Sequence, residues 1–209
     1  MIAVIDYGAG NLQSVVNALD FIGCDTIITK DTKTLLECDG AILPGVGSFG
    51  DAMQCLKDSN METAVKEFIK TGKPLLGICL GLQLFFPNSD ESVGVKGLDI
   101  AKGTITKIPN INGDLKIPHM GWNSIKIKDN TSGIFKGITG EPYVYFVHSY
   151  FLNAKDKDIV TSTTEYGVTI DASIQYKNVI ATQFHPEKSG DVGLKMLQNF
   201  IDMTKTTTI

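Results

Sequence analysis

A chain of 209 residues, 43% hydrophobic and 20% charged, has the makings of one soluble globule, long enough to bury about 70% of its unfolded surface. Its formal net charge of −4 gives no electrostatic reason to expect nucleic acid or an anionic membrane as partner, and no apolar run approaches the ~20 residues that would span a bilayer. The four cysteines, Cys24, Cys38, Cys55 and Cys79, show neither CxxC pairing nor a disulfide-like framework, and the first residues enter a strand with no basic leader. The expected compartment is therefore a reducing cytosol.

In chain order, short apolar runs at 2–5, 26–29, 40–43 and 74–78 read as strands, separated by helix-period segments over 11–22 and 48–70. That is βαβ order, which calls for a parallel sheet. After a polar, Gly-containing connector at 87–97, β-rich runs at 103–108, 122–127, 143–147, 159–164, 169–176 and 179–184 follow with little helix between them. Antiparallel pairing is expected in this half. A last helix over 191–203 closes the chain before a Thr-rich tail expected to fray. With no internal repeat or low-complexity linker, a single domain over 1–209 is expected.

Directly behind the fourth strand stands Gly77-Ile78-Cys79-Leu80-Gly81. A nucleophile at the tip of a tight strand-to-helix turn needs small residues two positions before and two after, because a Cβ there would collide with neighbouring backbone. The run 82–86 then reads as a buried helix whose positive dipole end favours the thiolate of Cys79. Taken alone, the pattern fits a buried structural cysteine between turn glycines equally well.

Near the other end, the run 179–184 stops at His185-Pro186-Glu187. Proline cannot donate to a sheet ladder, so the strand ends and His185 sits on its exit. Residues two apart in an extended segment point the same way, which puts the Glu187 carboxylate within reach of the imidazole to fix its tautomer. Cys79, His185 and Glu187 thus supply a nucleophile, a general base and an orienting acid. Separately, each also reads as a satisfied strand-end histidine and a solvated loop carboxylate.

Three smaller features have two readings each. Pro44-Gly45-Val46-Gly47 follows a strand, and its glycines let backbone N–H groups turn toward a ligand, or simply make the turn into the next helix. Gly8-Ala9-Gly10 with Asp31 looks like part of a dinucleotide fingerprint, but Gln13 stands where the third glycine belongs, which favours a plain tight turn. The spacing of His119 and His148 supplies no metal-ligand cluster, and no metal site is expected.

The segments 77–83 and 184–187 together resemble the class I (triad) glutamine amidotransferase family. Four more narrow the resemblance to its branch of imidazole glycerol phosphate synthase glutaminase subunits: Asp6-Tyr7-Gly8-Ala9-Gly10-Asn11-Leu12, Pro44-Gly45-Val46-Gly47-Ser48-Phe49, Pro118-His119-Met120-Gly121-Trp122-Asn123 and Tyr145-Phe146-Val147-His148-Ser149-Tyr150. The resemblance implies an α/β, flavodoxin-like domain with a mostly parallel central sheet flanked by helices and added antiparallel strands in the second half. It implies a Cys79, His185, Glu187 triad, an oxyanion hole from the main-chain amides of Leu80 and Val46, and L-glutamine held by Gly47, Gln83, Ser149 and Tyr150. Asn11 is implied at the partner interface, with Trp122, Tyr145 and Lys188 at the ammonia exit.

The implied reaction hydrolyses glutamine through a cysteinyl thioester, with no metal or organic cofactor. Ammonia passes to a (β/α)8 barrel cyclase, the other half of a heterodimer that makes imidazole glycerol phosphate and an aminoimidazole carboxamide ribotide. An alternative acceptor is the partner of paralogous subunits that serve sugar amination in surface polysaccharide pathways. A hydrolase of another γ-glutamyl compound and a non-catalytic scaffold are the rival classes. One segment departs from the family pattern: 85–91, Phe-Phe-Pro-Asn-Ser-Asp-Glu, leaves the length of the helix after the elbow and the following loop open.

Overall fold

The computed structural model describes residues 1–206 apart from 111, 112 and 114. Its first half runs β1 (Ile2–Ile5), α1 (Leu12–Phe21), β2 (Thr26–Thr29), α2 (Thr32–Glu37), β3 (Gly40–Gly45), α3 (Phe49–Asp58), α4 (Met61–Lys70), β4 (Leu75–Cys79) and α5 (Leu80–Leu84). Strands then dominate: β5 (Asn88–Ser89), β6 (Gly103–Lys107), β7 (His119–Ser124), β8 (Lys126–Ile127), β9 (Tyr143–His148) and β10 (Tyr150–Ala154). β11 (Val160–Glu165), β12 (Thr169–Tyr176), β13 (Val179–Thr182) and α6 (Gly190–Thr206) complete the chain.

Eight strands form the central sheet in the order β2-β1-β3-β4-β13-β12-β11-β8. The first five are parallel, and β12, β11 and β8 extend them antiparallel. This is the expected mostly parallel sheet with antiparallel additions in the second half. β1, β3 and β4 are buried along their whole length, as strands covered on both faces must be. Alternation divides their side chains between two cores. Ala3, Ile5, Leu43 and Leu75 share one with Phe49, Met53, Val65 and Phe68 of α3 and α4. Val4, Ile42, Leu76 and Ile78 share the other with Leu19 of α1 and Leu197 and Phe200 of α6. Emptying a fully buried site such as Phe68 costs about 3–5 kcal/mol, so these layers hold the carboxyl ends of β3 and β4 rigidly. Two smaller sheets, β10-β6-β5 and β7-β9, sit beside this frame.

Several elements differ from the sequence reading. The single helix expected over 48–70 is two, broken where Asn60 takes a left-handed φ of 59°. The Ser59 hydroxyl donates back to the Cys55 carbonyl at 2.7 Å, and asparagine tolerates the left-handed region better than most residues. The run 122–127 divides between β7 and β8, which belong to different sheets. β10 and α2 were not expected. Asp31, set above beside the partial dinucleotide fingerprint, instead caps α2, accepting from the Thr34 amide at 2.8 Å. The tail over 207–209 lies outside the described residues. No described helix is long and apolar enough to cross a membrane.

Candidate active site

β3 and β4 end side by side, with Gly45 and Cys79 as register partners. Cys79 bridges β4 and α5 with φ 56° and ψ −108°, a backbone state that side chains other than glycine's rarely adopt. Around it the steric rule is visible. A Cβ on Gly81 would land on the Leu43 carbonyl oxygen, and one on Gly77 would sit 2.5 Å from the Phe85 ring and 2.9 Å from the Gly81 backbone. α5 begins at Leu80, two residues earlier than expected, and ends at Leu84; Phe85 and Phe86 pack as buried turn residues.

His185 is delivered by different local geometry from that expected. β13 ends at Thr182, and Pro186–Lys188 form a 3-10 turn. The turn, not extended alternation, brings Glu187 Oε1 to 2.7 Å from His185 Nδ1. The histidine backbone is held on both sides: its N–H donates to the Tyr145 carbonyl at 2.9 Å, and its carbonyl accepts from Ser189 Oγ at 2.6 Å. Both triad side chains are almost fully buried, at 4% and 2% exposure. His185 Nε2 is buried with no hydrogen bond of ordinary geometry, yet it lies near enough to Cys79 to feel the sulfur. Burial pulls the imidazole pKa down, but Cys79 and Glu187 outweigh it and raise it to about 10. A proton taken from Cys79 is thus well held on His185.

Cys79 Sγ donates to the Val147 carbonyl at 3.8 Å and accepts from Gln183 Nε2 at 3.7 Å. Gln183 is fully buried, and its Oε1 accepts from Gln83 Nε2 at 3.1 Å. Gln83 also donates to the Tyr150 carbonyl at 3.0 Å. Cys79 and Gln83 open onto a cavity of about 330 Å³ whose walls include Val46, Gly47, Leu80, Ser149, Tyr150 and Lys188, with Gln183 buried behind it. A larger hollow of about 560 Å³, bordered by Met1, Cys24, Asp39 and Lys205, lies at the opposite end of the sheet, with none of this chemistry.

Three expected residues fall outside the cavity wall. Asn11 caps α1, accepting from the Ser14 amide at 3.4 Å. Trp122 and Tyr145 face each other across β7 and β9, ring centroids 6.2 Å apart and edge-on. The Gly8 to Gly10 segment is a tight turn: Gly8, at φ 89°, donates to Asp6 Oδ1 at 3.0 Å.

Sequence reasoning missed Gln183, Glu91, Pro118, Val147 and His148 at this site. Glu91 lies in the departing segment. Its carboxylate accepts from the Phe49 amide at 2.7 Å, and Ser92 Oγ accepts from the Gly50 amide at 2.9 Å. The loop therefore seats on the start of α3, beside Gly47, and nothing in its local sequence announces a partner 42 residues away. Spacing likewise offered no reason to join His119 and His148, whose rings meet at 3.0 Å. Among the described residues no group of three or more His, Cys, Asp or Glu is placed to hold a metal ion.

The model of the glutamine amidotransferase class-I family matches residues 3–203. The chain belongs to that family. Among curated proteins, it is 50% identical over 205 residues to the imidazole glycerol phosphate synthase subunit HisH of Caldanaerobacter subterraneus subsp. tengcongensis, covering 98% of this chain and 99% of that one. To the same subunit of Methanothermobacter thermautotrophicus it is 47% identical, covering 98% and 100%. The fold recurs at lower identity. A crystal structure of a glutamine amidotransferase superposes with TM-score 0.76 at 15% identity, over 98% of this chain and 100% of that one. The glutaminase domain of Trypanosoma brucei CTPS with bound acivicin gives 0.67 at 18% identity, over 98% and 93%.

Proposed function

We infer that this chain is the glutaminase subunit of an imidazole glycerol phosphate synthase, hydrolysing L-glutamine and passing the ammonia to a cyclase. The observation that carries the chemistry is the buried His185–Glu187 pair at 2.7 Å, with Cys79 on a glycine-flanked elbow at the same cavity. The pathway assignment is supported by relatives 42–50% identical that bear that subunit's name, which favours histidine biosynthesis over sugar amination as the destination.

In this reading His185 Nε2 takes the thiol proton as Cys79 Sγ attacks the side-chain amide carbon of glutamine. The oxyanion is held by the main-chain amides of Leu80 and Val46. Glu187 keeps Nδ1 protonated and supports the imidazolium. His185 then returns its proton to the departing nitrogen, and ammonia leaves behind a γ-glutamyl thioester. Water, giving a proton to the same imidazole, attacks the thioester and releases glutamate. Gly47, Gln83, Ser149 and Tyr150 hold the substrate's far end. Asn11, Trp122, Tyr145 and Lys188 form the side from which ammonia leaves for a (β/α)8 barrel cyclase docked as a heterodimer. Exposed Met120 and Trp122, 66% and 56% accessible, fit such a docking face.

The deciding experiment measures glutamate release by the chain alone and with the same organism's cyclase loaded with its ribonucleotide substrate, using Cys79→Ala as control. Stimulation that depends on Cys79 is expected. Glutaminase activity indifferent to the loaded cyclase would remove the histidine assignment and turn the search to sugar-modifying acceptors.

A further inference from the structure

One hydrogen-bonded path runs from β7 to the nucleophile, and its direction is fixed at both ends. β7 alternates: Met120 and Trp122 face outward, while on the reverse side His119 is buried and Asn123 half-buried. The Asn123 amide has a set orientation, since its Oδ1 accepts from the Ser124 amide at 2.9 Å and its Nδ2 donates to the Glu165 carbonyl at 3.0 Å. Its second Nδ2 hydrogen meets His119 Nε2 at 3.3 Å, so that nitrogen is the acceptor and Nδ1 carries the proton. His119 Nδ1–H then donates to His148 Nε2 at 3.0 Å, across the register pair His119 and His148. His148 Nδ1–H donates to the Tyr150 carbonyl at 2.9 Å.

That carbonyl is where the path enters the active site. It also accepts from Gln83 Nε2 at 3.0 Å, Gln83 donates to Gln183 Oε1 at 3.1 Å, and Gln183 donates to Cys79 Sγ at 3.7 Å. Burial lowers the His119 pKa to about 4 and the His148 pKa to about 3, so both rings are neutral at pH 7, as the donor order requires. The His119 ring is also stacked between Tyr166 and Phe146, at 3.9 and 4.6 Å.

We propose that His119 and His148 are positioning residues that hold the Tyr150 carbonyl, and through Gln83 and Gln183 the Cys79 sulfur, in register with the docking strand. The coupling half of this proposal rests on the reading of β7 as the docking strand; the positioning half does not. Stacking alone would make His119 an aromatic core residue, and two substitutions separate these roles. His119→Phe keeps a ring between Phe146 and Tyr166 and loses both hydrogen bonds. His119→Gln loses the ring and keeps one donor and one acceptor.

If the path positions the site, His119→Phe raises KM for glutamine and lowers kcat in the isolated chain, several-fold each, because both the substrate-holding Tyr150 and Gln83 and the Cys79 sulfur lose their support. Stimulation by the loaded cyclase then falls about tenfold, and His119→Gln lies closer to wild type on both measures. The opposite ranking, or a His119→Phe enzyme indistinguishable from wild type, overturns the proposal. Should the variants not fold, long-range ¹⁵N spectra of the wild-type chain decide. With only three histidines in the sequence, the rings of His119 and His148 must both appear as neutral Nδ1–H tautomers at pH 7, and any other form overturns the path. A wild-type chain that the cyclase does not stimulate would count against the docking reading, while the KM ranking would still decide the positioning role.

Discussion

Gln183 and Cys79 are joined by an N–H to sulfur contact of 3.7 Å, from an amide that is itself fully buried. The amide has no solvent to turn toward, and its oxygen is taken by Gln83. Its N–H points at the sulfur and fixes where Sγ sits at the edge of the cavity.

Replacing Gln183 by Met, close in volume but without the amide, removes that donor and strands the Gln83 N–H. We expect kcat/KM for glutamine to fall about tenfold as the sulfur loses its position. Unchanged kcat/KM would show that the sulfur does not depend on this contact.

Within the triad the expected losses are graded. Cys79→Ala abolishes thioester formation, and His185→Asn lowers kcat by about 10²–10⁴. Glu187→Gln keeps a hydrogen-bonding oxygen near Nδ1 while removing the charge, and should fall between wild type and His185→Asn. Burst kinetics with a chromogenic γ-glutamyl amide would rank the three.

Gly81 tests the elbow as architecture. A methyl there meets the Leu43 carbonyl oxygen in the next strand, and neither backbone has room to retreat. Gly81→Ala should cost about 3 kcal/mol in urea unfolding and lower activity further than the stability loss explains. Gly23→Ala is the comparison, since nothing lies within 4 Å of its Cβ; it carries only the strain of its φ of 74°.

The buried histidines give stability a pH signature with two signs. His119 and His148 have folded pKa values of about 4 and about 3, below the ordinary 6.5. Their contribution is complete above pH 6.5 and fades as pH falls toward those values, by roughly 1.4 kcal/mol per pH unit for each group that titrates only when unfolded. His185, raised to about 10, runs the other way: its contribution is complete below 6.5 and fades as pH rises toward 10. Urea midpoints from pH 4 to 10 should therefore peak near neutrality, and His119→Phe should flatten the acid limb.

Much of the frame was legible because its rules act over short stretches. The elbow is encoded in five consecutive residues, and the Val/Ile/Leu strands 2–5 and 74–78 announce themselves by composition. His185 and Glu187 were legible as a pair although the reason was a 3-10 turn. Features made by tertiary meeting were not. β10 follows β9 with only Ser149 between them, so the run shows no break where the chain changes sheet. α2 buries a single residue, Leu35, too little to leave a helical period. Gln183 reads as one more residue of a β-rich run until Ala172, Gln83 and Cys79 surround it.

The φ of 56° at Cys79 has an evolutionary corollary. Position 79 is conformationally suited to glycine, and a side chain there is tolerated at roughly 1–3 kcal/mol of backbone strain. Part of that would be recovered by glycine, after the extra freedom glycine gives the unfolded chain. Selection for turnover is then what keeps sulfur at the tip of the turn. In a descendant that drew ammonia from elsewhere, mutational drift would run downhill toward glycine at this position, leaving a sturdier protein with an empty elbow as the trace of a discarded reaction.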